Sequence, residues 1–359
     1  MNEVQWRNLL RIIDGEVVEP APVGLIVDSP WLPQWAGVSI LDYFHDPEIW
    51  FQANLKAIEQ FDRIMLLPGF WSEYGMCSEP AAFGAKCVFG ENTFPSVEKV
   101  LHDVDDIDRL TKPNCHTDGL CPFILKRLVK ARPAIEKLGH QIRFAVARGP
   151  LNIASYLFGH TELMMGVKTD PEKIHKLLGI VTDFLVDWVD LQADTFDSID
   201  GLFLLDDLIG FLGAADYDEF VVPYFKKVFG VRNFSVRFLH NDAHGLIAAP
   251  HLEAMGVNLF NYSFQHSIAE MRELAGESVV LLGNIPPRDV LAGGTPDEVR
   301  NAVVQSMQGV KTPRRIIISC GGGAPPGAPT ANITAMCEGA DLLTTDENGC
   351  LCNAAKKYS

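Results

Sequence analysis

Basic clusters, long apolar runs and a disulfide-forming cysteine lattice are all missing from this chain. It carries 30 Lys+Arg against 46 Asp+Glu, a formal net charge of −16, and no Lys/Arg-rich run interrupts the acidic excess. Nucleic acid and anionic membrane surfaces are therefore not expected as partners. No apolar stretch reaches the roughly 18–20 residues that span a bilayer. The opening MNEVQWRNLL has no basic segment followed by an apolar core, so no signal peptide is expected and the cytoplasm is the default location. The eight cysteines are too sparse for a disulfide scaffold and include no Cys-x-x-Cys pair, which predicts reduced, mostly buried thiols. What remains, with 47% hydrophobic and 21% charged residues, has the balance of a packed globular protein and excludes disorder and low complexity.

Eight short aliphatic or β-branched runs recur, each closing on a polar residue, a proline or a glycine. They are 23–27 before Asp28, 64–67 before Pro68-Gly69, 142–147 before Arg148 and 202–205 before Asp206-Asp207. The series continues with 236–239 before His240, 259–260 before Asn261, 279–282 before Gly283-Asn284 and 315–318 before Ser319-Cys320. Helical patterns lie between most of them. Asp170-Pro171-Glu172 opens a segment with Ile174, Leu177, Leu178, Val181, Leu185 and Trp188 on one face. Asp216-x-x-Glu219 and Thr295-Pro296-Asp297-Glu298 predict capping boxes.

Strands alternating with helices predict parallel pairing, and eight such units predict an α/β fold of the (β/α)₈ TIM-barrel type. An open doubly wound sheet is the alternative, but no Gly-x-Gly-x-x-Gly follows an early strand. Residues 1–22 are expected to form an N-terminal helix and linker, and 23–345 the barrel. Residues 70–140 make a long excursion between the second and third strands, a lid or wall, and 346–359 form a polar tail.

Active sites of such barrels lie at the C-terminal ends of the strands. Those positions carry Asp28, Arg148, Asp206, Asp207, His240, Asp242, Asn261, Asn284 and Cys320. His240 and Asp242, two residues apart on a strand, point the same way. With Cys320 they offer an imidazole, a carboxylate and a thiolate, a set that suits Zn²⁺ and leaves its fourth position open. The competing reading is a hydrogen-bonded histidine beside an inert cysteine. Gly321-Gly322-Gly323 would let another molecule approach the backbone closely.

Only one of Asp206 and Asp207 can face the interior, as base, ligand or orienting carboxylate, which leaves the other to cap the next helix. Glu219 is expected to be a capping residue. Arg148 is expected to bind an anion or to balance a rim carboxylate. CGGGAPPGAP at 320–329 lacks Gly-Lys-Ser/Thr and is no phosphate loop. Trp71 and Tyr74 in the excursion, with Trp31 and Trp35, either line a flat apolar pocket or build the lid's own core, and the core reading has the larger share. His244, His251, His266, Cys350 and Cys352 are expected to be structural or at the surface.

Several motifs together resemble the uroporphyrinogen decarboxylase superfamily. CGGGAPPGAPTANITAM (320–336) is similar to its C-terminal signature, and LLDDLIGFLGAADYDEFVVPYFKKVF (204–229) to its Asp-rich strand end and following helix. EPAAFGAKCVF (79–89), the stretch 149–178 and LLGNIPP (281–287) match as well, so the likeness covers roughly residues 5–345. True decarboxylases of the superfamily grip porphyrinogen carboxylates with early arginines. Here VGLIVDSPWLPQWAG (23–37) has none. The resemblance therefore implies the other branch, methyltransferases that exchange a methyl group with the cobalt of a separate corrinoid protein carrying cobalamin.

In the methylcobamide:coenzyme M type of that branch, zinc sits on His-x-Cys and a distant Cys. His240, Asp242 and Cys320 fall in the matching places, with Asp242 where that type has cysteine. A carboxylate ligand hardens the site, which shifts the expected substrate from thiols toward methylated or methoxylated small molecules, aryl ethers among them, or a pterin. Asp206, Asp207 and Arg148 are then expected to serve catalysis. Asp28, Trp71, Tyr74, Asn261 and Asn284 would bind the small-molecule methyl donor or acceptor, and a homodimer is one expected assembly. The alternatives are uroporphyrinogen decarboxylase activity, a lyase reaction, and a binding member of the superfamily without chemistry.

Overall fold

The computed structural model describes residues 1–27, 30–345 and 351–352, so Asp28 and most of the expected tail lie outside the described residues. All eight predicted runs are strands: β1 (Gly24–Ile26), β2 (Met65–Leu67), β3 (Phe144–Arg148), β4 (Gly201–Leu205), β5 (Val236–Asn241), β6 (Leu259–Tyr262), β7 (Val280–Ile285) and β8 (Ile316–Cys320). β3 to β8 form one parallel sheet in chain order, and β1 pairs with β2 in parallel, Gly24 opposite Met65. The seam from β8 back to β1 closes through bridges Val23↔Ile318 and Ile26↔Gly323. The chain is a (β/α)₈ barrel.

Among the described residues no ladder joins β2 to β3, and the free edge of β3 is met by side chains instead. The Val146 N–H donates to Gln192 Oε1 at 3.0 Å, and Gln192 Nε2 returns a bond to the Val146 carbonyl at 3.1 Å. The Arg148 N–H donates to Glu79 Oε1 at 3.3 Å. Backbone groups of a buried edge need partners, and here an amide and a carboxylate supply what a ladder to β2 would have supplied.

The barrel interior is filled by Ile26, Leu67, Phe144, Phe203, Phe238, Leu282 and Ile317, with Phe203 and Phe238 stacked at 4.2 Å. Its floor is the helix Glu3–Ile13, whose Trp6, Leu9 and Ile12 form one apolar stripe and join the interior cluster at the strands' N-terminal ends. Arg315 Nε donates to the Ile13 carbonyl at 3.1 Å and Arg314 Nη1 to that of Gly15 at 2.8 Å, which bolts the helix to the chain just before β8.

The long connection from β2 to β3 holds a hairpin (Cys87–Val88 with Ser96–Val97), a turn (Val104–Arg109) and a helix (Cys121–Lys137). The turn and the helix pack on the helix Pro171–Thr195, whose predicted apolar face is fully buried. No helix among the described residues is long and apolar enough to cross a membrane.

The capping box at Thr295–Glu298 is formed, whereas the one expected at Asp216–Glu219 is not. That helix starts three residues earlier, at Ala214, with Gly213 as N-cap in place of Asp216. Ala214-Ala215 are strong helix formers, and they leave Asp216 free to pair with Lys168 at 2.5 Å and Glu219 with His175 at 3.0 Å.

Candidate metal centre at the barrel mouth

The two aspartates after β4 part ways. Asp206 is fully buried and turns back toward the helix Pro150–Phe158. Its Oδ2 accepts from the Leu151 N–H at 2.9 Å and the Asn152 N–H at 3.1 Å. These are orphan donors of a helix N-terminus, where negative charge is favoured. The approach is so close that a Cβ on Gly149 would lie 2.4 Å from Asp206 Oδ2, which is why glycine precedes Pro150. Burial raises the Asp206 pKa to about 8, the Asn152 N–H opposes that rise and the charge of Asp207 adds to it. The capped helix is thus the one after β3, not the one after β4 that sequence order suggested.

Asp207 faces the mouth. It meets His240 at the end of β5 and Asp242 just beyond it, with one ligand atom of each within 4.8 Å of the others. His240 Nε2 stands 3.7 Å from Asp207 Oδ1, and the Asp242 N–H donates to the same oxygen at 3.1 Å. Burial pushes the Asp207 pKa up, His240 pulls it back and the like charge of Asp242 raises it further.

The histidine's tautomer follows from its neighbour. Asn261 Nδ2 donates to the carbonyls of Leu282 at 2.8 Å and Cys320 at 3.2 Å, so the NH₂ must be on that side. Asn261 Oδ1 therefore faces His240 Nδ1, at 2.7 Å, and accepts its proton. In the neutral ring Nε2 is left with a lone pair directed at the two carboxylates. One imidazole nitrogen and two carboxylate oxygens converging on one point are a donor set that fits Zn²⁺ with a fourth position open. Among the described residues no other three such donors converge.

Cys320, at the end of β8, is buried and outside this group; its Sγ donates to the carbonyls of Gly322 and Gly323 at 3.3 and 3.4 Å. Of the glycines after it, Gly322 makes room for Asp242 and Gly321 for the Phe264 backbone. A Cβ on Gly322, whose φ is +128°, would stand 3.2 Å from Asp242 Oδ2.

Arg148 is buried and held by two excursion carboxylates, Glu73 at 3.1 Å and Glu79 at 3.2 Å, each 3% exposed. Burial works against its charge, but the two carboxylates outweigh that and raise its pKa. Asn284 donates to the His266 carbonyl. Trp71 belongs to the interior cluster, edge-on to Phe203 at 5.9 Å. Tyr74 lies on Phe44 and under the Arg127 guanidinium. Trp31 and Trp35 stack on each other and donate to the Ala328 carbonyl and Thr330 hydroxyl at 3.0 Å. The aromatic density thus packs the barrel interior, the wall and the first loop.

One mouth residue carried no expectation. Tyr156 lies one helical turn beyond Asn152, whose side chain holds the 205–208 turn by bonds to Leu205 and Leu208. Burial raises the Tyr156 pKa and keeps it protonated, the charge of Arg148 opposes this and that of Asp207 supports it. Its ring is edge-on to His160 at 6.0 Å. The spacing from Asn152 to Tyr156 within GPLNIASY was the available signal.

Comparison with known proteins adds to this geometry. The family described as Uroporphyrinogen decarboxylase (URO-D) matches residues 5–341. Uroporphyrinogen decarboxylase of Dichelobacter nodosus is 24% identical over 350 residues, covering 93% of this chain and 97% of that one. The Xanthomonas euvesicatoria protein of the same name is 25% identical over 320 residues, covering 83% and 86%. In structure, a methyltransferase from Methanosarcina mazei superposes with a TM-score of 0.79 at 19% identity, covering 94% of this chain and 98% of its own. A B12-independent methionine synthase from Shewanella sp. W3-18-1 follows at 0.53 and 10% identity, covering 90% and 97%.

Proposed function

The chain belongs to the uroporphyrinogen decarboxylase family, and from that premise we propose that it is a zinc-dependent methyltransferase, exchanging a methyl group between a small methylated compound and the cobalt of a corrinoid protein. The observation that carries this reading is the convergence of Asp207, Asp242 and the lone pair of His240 Nε2 on one point at the barrel mouth. Asp207, His240 and Asp242 would hold the metal, and Cys320 remains a candidate fourth donor only if its loop opens. A metal there supplies Lewis acidity, which weakens the bond between a heteroatom and its methyl group or lowers the pKa of a bound hydroxyl or thiol.

The chain's own groups do the rest. Asn261 fixes the imidazole, and Asp206 fixes the helix that carries Tyr156. Tyr156, protonated, can donate a hydrogen bond to a polar atom of the substrate. The floor helix seals the far end of the barrel, so a corrinoid protein would meet the site over the loops of the mouth. The methyltransferase name of the Methanosarcina neighbour supports this reading.

The second reading, decarboxylation of uroporphyrinogen, is favoured by the names of the curated relatives. Against it stands the arginine-free stretch 23–37.

Two assays on one preparation separate the readings. We expect about one equivalent of zinc, one site per chain, lost in His240→Ala and Asp242→Ala. Methyl transfer to cob(I)alamin, or from methylcobalamin, should be visible in the corrin spectrum and fall with the metal. Coproporphyrinogen formed from uroporphyrinogen without methyl transfer would replace this reading with the lyase.

A further inference from the structure

On the flank of the same mouth lies a cavity of about 660 Å³, well within the size of a small-molecule pocket. Its walls are Met164, Met165, Leu208 and Phe211, and His160 and Lys168 stand on its rim. Met165 and Phe211 are 60% and 67% exposed, so large apolar groups stand in water here. Methionines and a phenylalanine make an adaptable, polarisable surface for a flat or branched apolar body.

Two features join this groove to the metal centre. Leu208 follows Asp207 directly in the chain, so one wall begins one residue from a ligand position. His160 packs edge-on to Tyr156, which feels the charges of Arg148 and Asp207.

The charge of the groove narrows its occupant. The chain has 46 Asp+Glu against 30 Lys+Arg, yet no carboxylate lines the cavity, and its one permanent charge is the Lys168 ammonium. Lys168 touches Asp216 at 2.5 Å with its side chain still 65% exposed, so donors remain for a second acceptor. A ligand carboxylate can share that ammonium with Asp216 through a charge-assisted hydrogen bond, which a neutral apolar ligand cannot make.

We propose that this groove binds the body of the substrate, and that the substrate is a small apolar molecule bearing one carboxylate. The carboxylate meets Lys168, and the methylated end turns toward Asp207, His240 and Asp242. This assignment rests on the methyltransferase reading for its orientation, and it is tested by binding alone.

The test is calorimetric titration of the full-length, zinc-supplemented protein with 3-methoxybenzoate and with methoxybenzene, alongside zinc analysis of the same samples. Wild type should bind 3-methoxybenzoate about tenfold more tightly than methoxybenzene, the scale of one charge-assisted hydrogen bond. Lys168→Met should abolish that preference and keep the methoxybenzene affinity. Met165→Asp, at an exposed position, should weaken both probes and leave zinc content and thermal unfolding unchanged.

Equal affinities for the two probes, no binding of either at millimolar concentration, or binding indifferent to both substitutions would each overturn the groove assignment, whatever the zinc content. Lys168-dependent binding in protein that takes up no zinc would uphold the groove and remove the zinc-dependent form of the methyltransferase reading. A dimer in solution that Met165→Asp dissolves, with no probe binding, would give the groove to a second copy of the chain and overturn the proposal.

Discussion

Asn261 donates no ligand atom to the mouth, yet it decides which nitrogen of His240 is presented there. Replacing it with leucine keeps the bulk, removes the acceptor at Nδ1 and takes away the N–H donors to the Leu282 and Cys320 carbonyls. Loss of such a supporting bond weakens metal binding by roughly 10–100-fold, and we expect that loss in Asn261→Leu, read by zinc competition with a chromophoric chelator. The role was hidden in the sequence because Asn261 lies 21 residues from His240 and the two meet across a strand pair. His240, Asp242 and Asp207 themselves were legible as polar residues ending apolar runs, although sequence could not choose between Asp206 and Asp207.

A second residue sets an acid limit. His140 is buried beside the terminal amine, and burial first, that positive charge second, lowers its pKa from 6.5 to about 4. A base with a depressed folded pKa contributes its full stability above pH 6.5 and loses it as the pH falls from 6.5 toward 4. At ~1.4 kcal/mol per unit, the loss is on the order of 2–3 kcal/mol. Chemical denaturation at pH 7 and pH 4.5 should show wild type losing that much more than His140→Leu.

At the level of elements, the helix Pro150–Phe158 depends on a residue from another strand. Asp206→Ala strips the acceptor from two N-terminal N–H groups and should cost about 1–2 kcal/mol, the usual range for a lost cap. Asp206→Asn, which keeps one acceptor oxygen, should lose less. Gly149→Ala should destabilise as well, because its Cβ would sit 2.4 Å from the carboxylate. Thermal unfolding of the three variants orders these effects.

The strands were readable because each apolar run ends abruptly where the barrel gives way to loop. Cap chemistry was readable only where it is local, as at Thr295–Glu298. The Asp206 cap joins residues 54 and 55 apart, and no window of sequence contains both partners.

For the molecule as a whole, one buried arginine, at the end of β3, joins the excursion to the barrel mouth, beside the packing on the helix Pro171–Thr195. Removing Arg148 takes one buried ion-pair partner from each of Glu73 and Glu79, and breaking a buried ion pair on one side costs about 3–5 kcal/mol. Arg148→Met should therefore be severely destabilised and cleaved first within residues 70–140 by limited proteolysis. Adding Glu73→Gln and Glu79→Gln should recover much of the loss, since neutral partners need no counter-charge. The length of the excursion announced itself in the sequence. Its attachment did not, because the carboxylates lie 69 and 75 residues from the arginine.

The floor of the barrel has a consequence for how the protein is made. Helix Glu3–Ile13 leaves the ribosome about 300 residues ahead of the arginines that fasten it, Arg314 and Arg315. At roughly 5–20 residues per second, the interval is on the order of 15–60 s. Throughout it the stripe of Trp6, Leu9 and Ile12 has no finished barrel to cover. That stripe is where a nascent-chain chaperone would find its target, and translation of the last strand is what releases it.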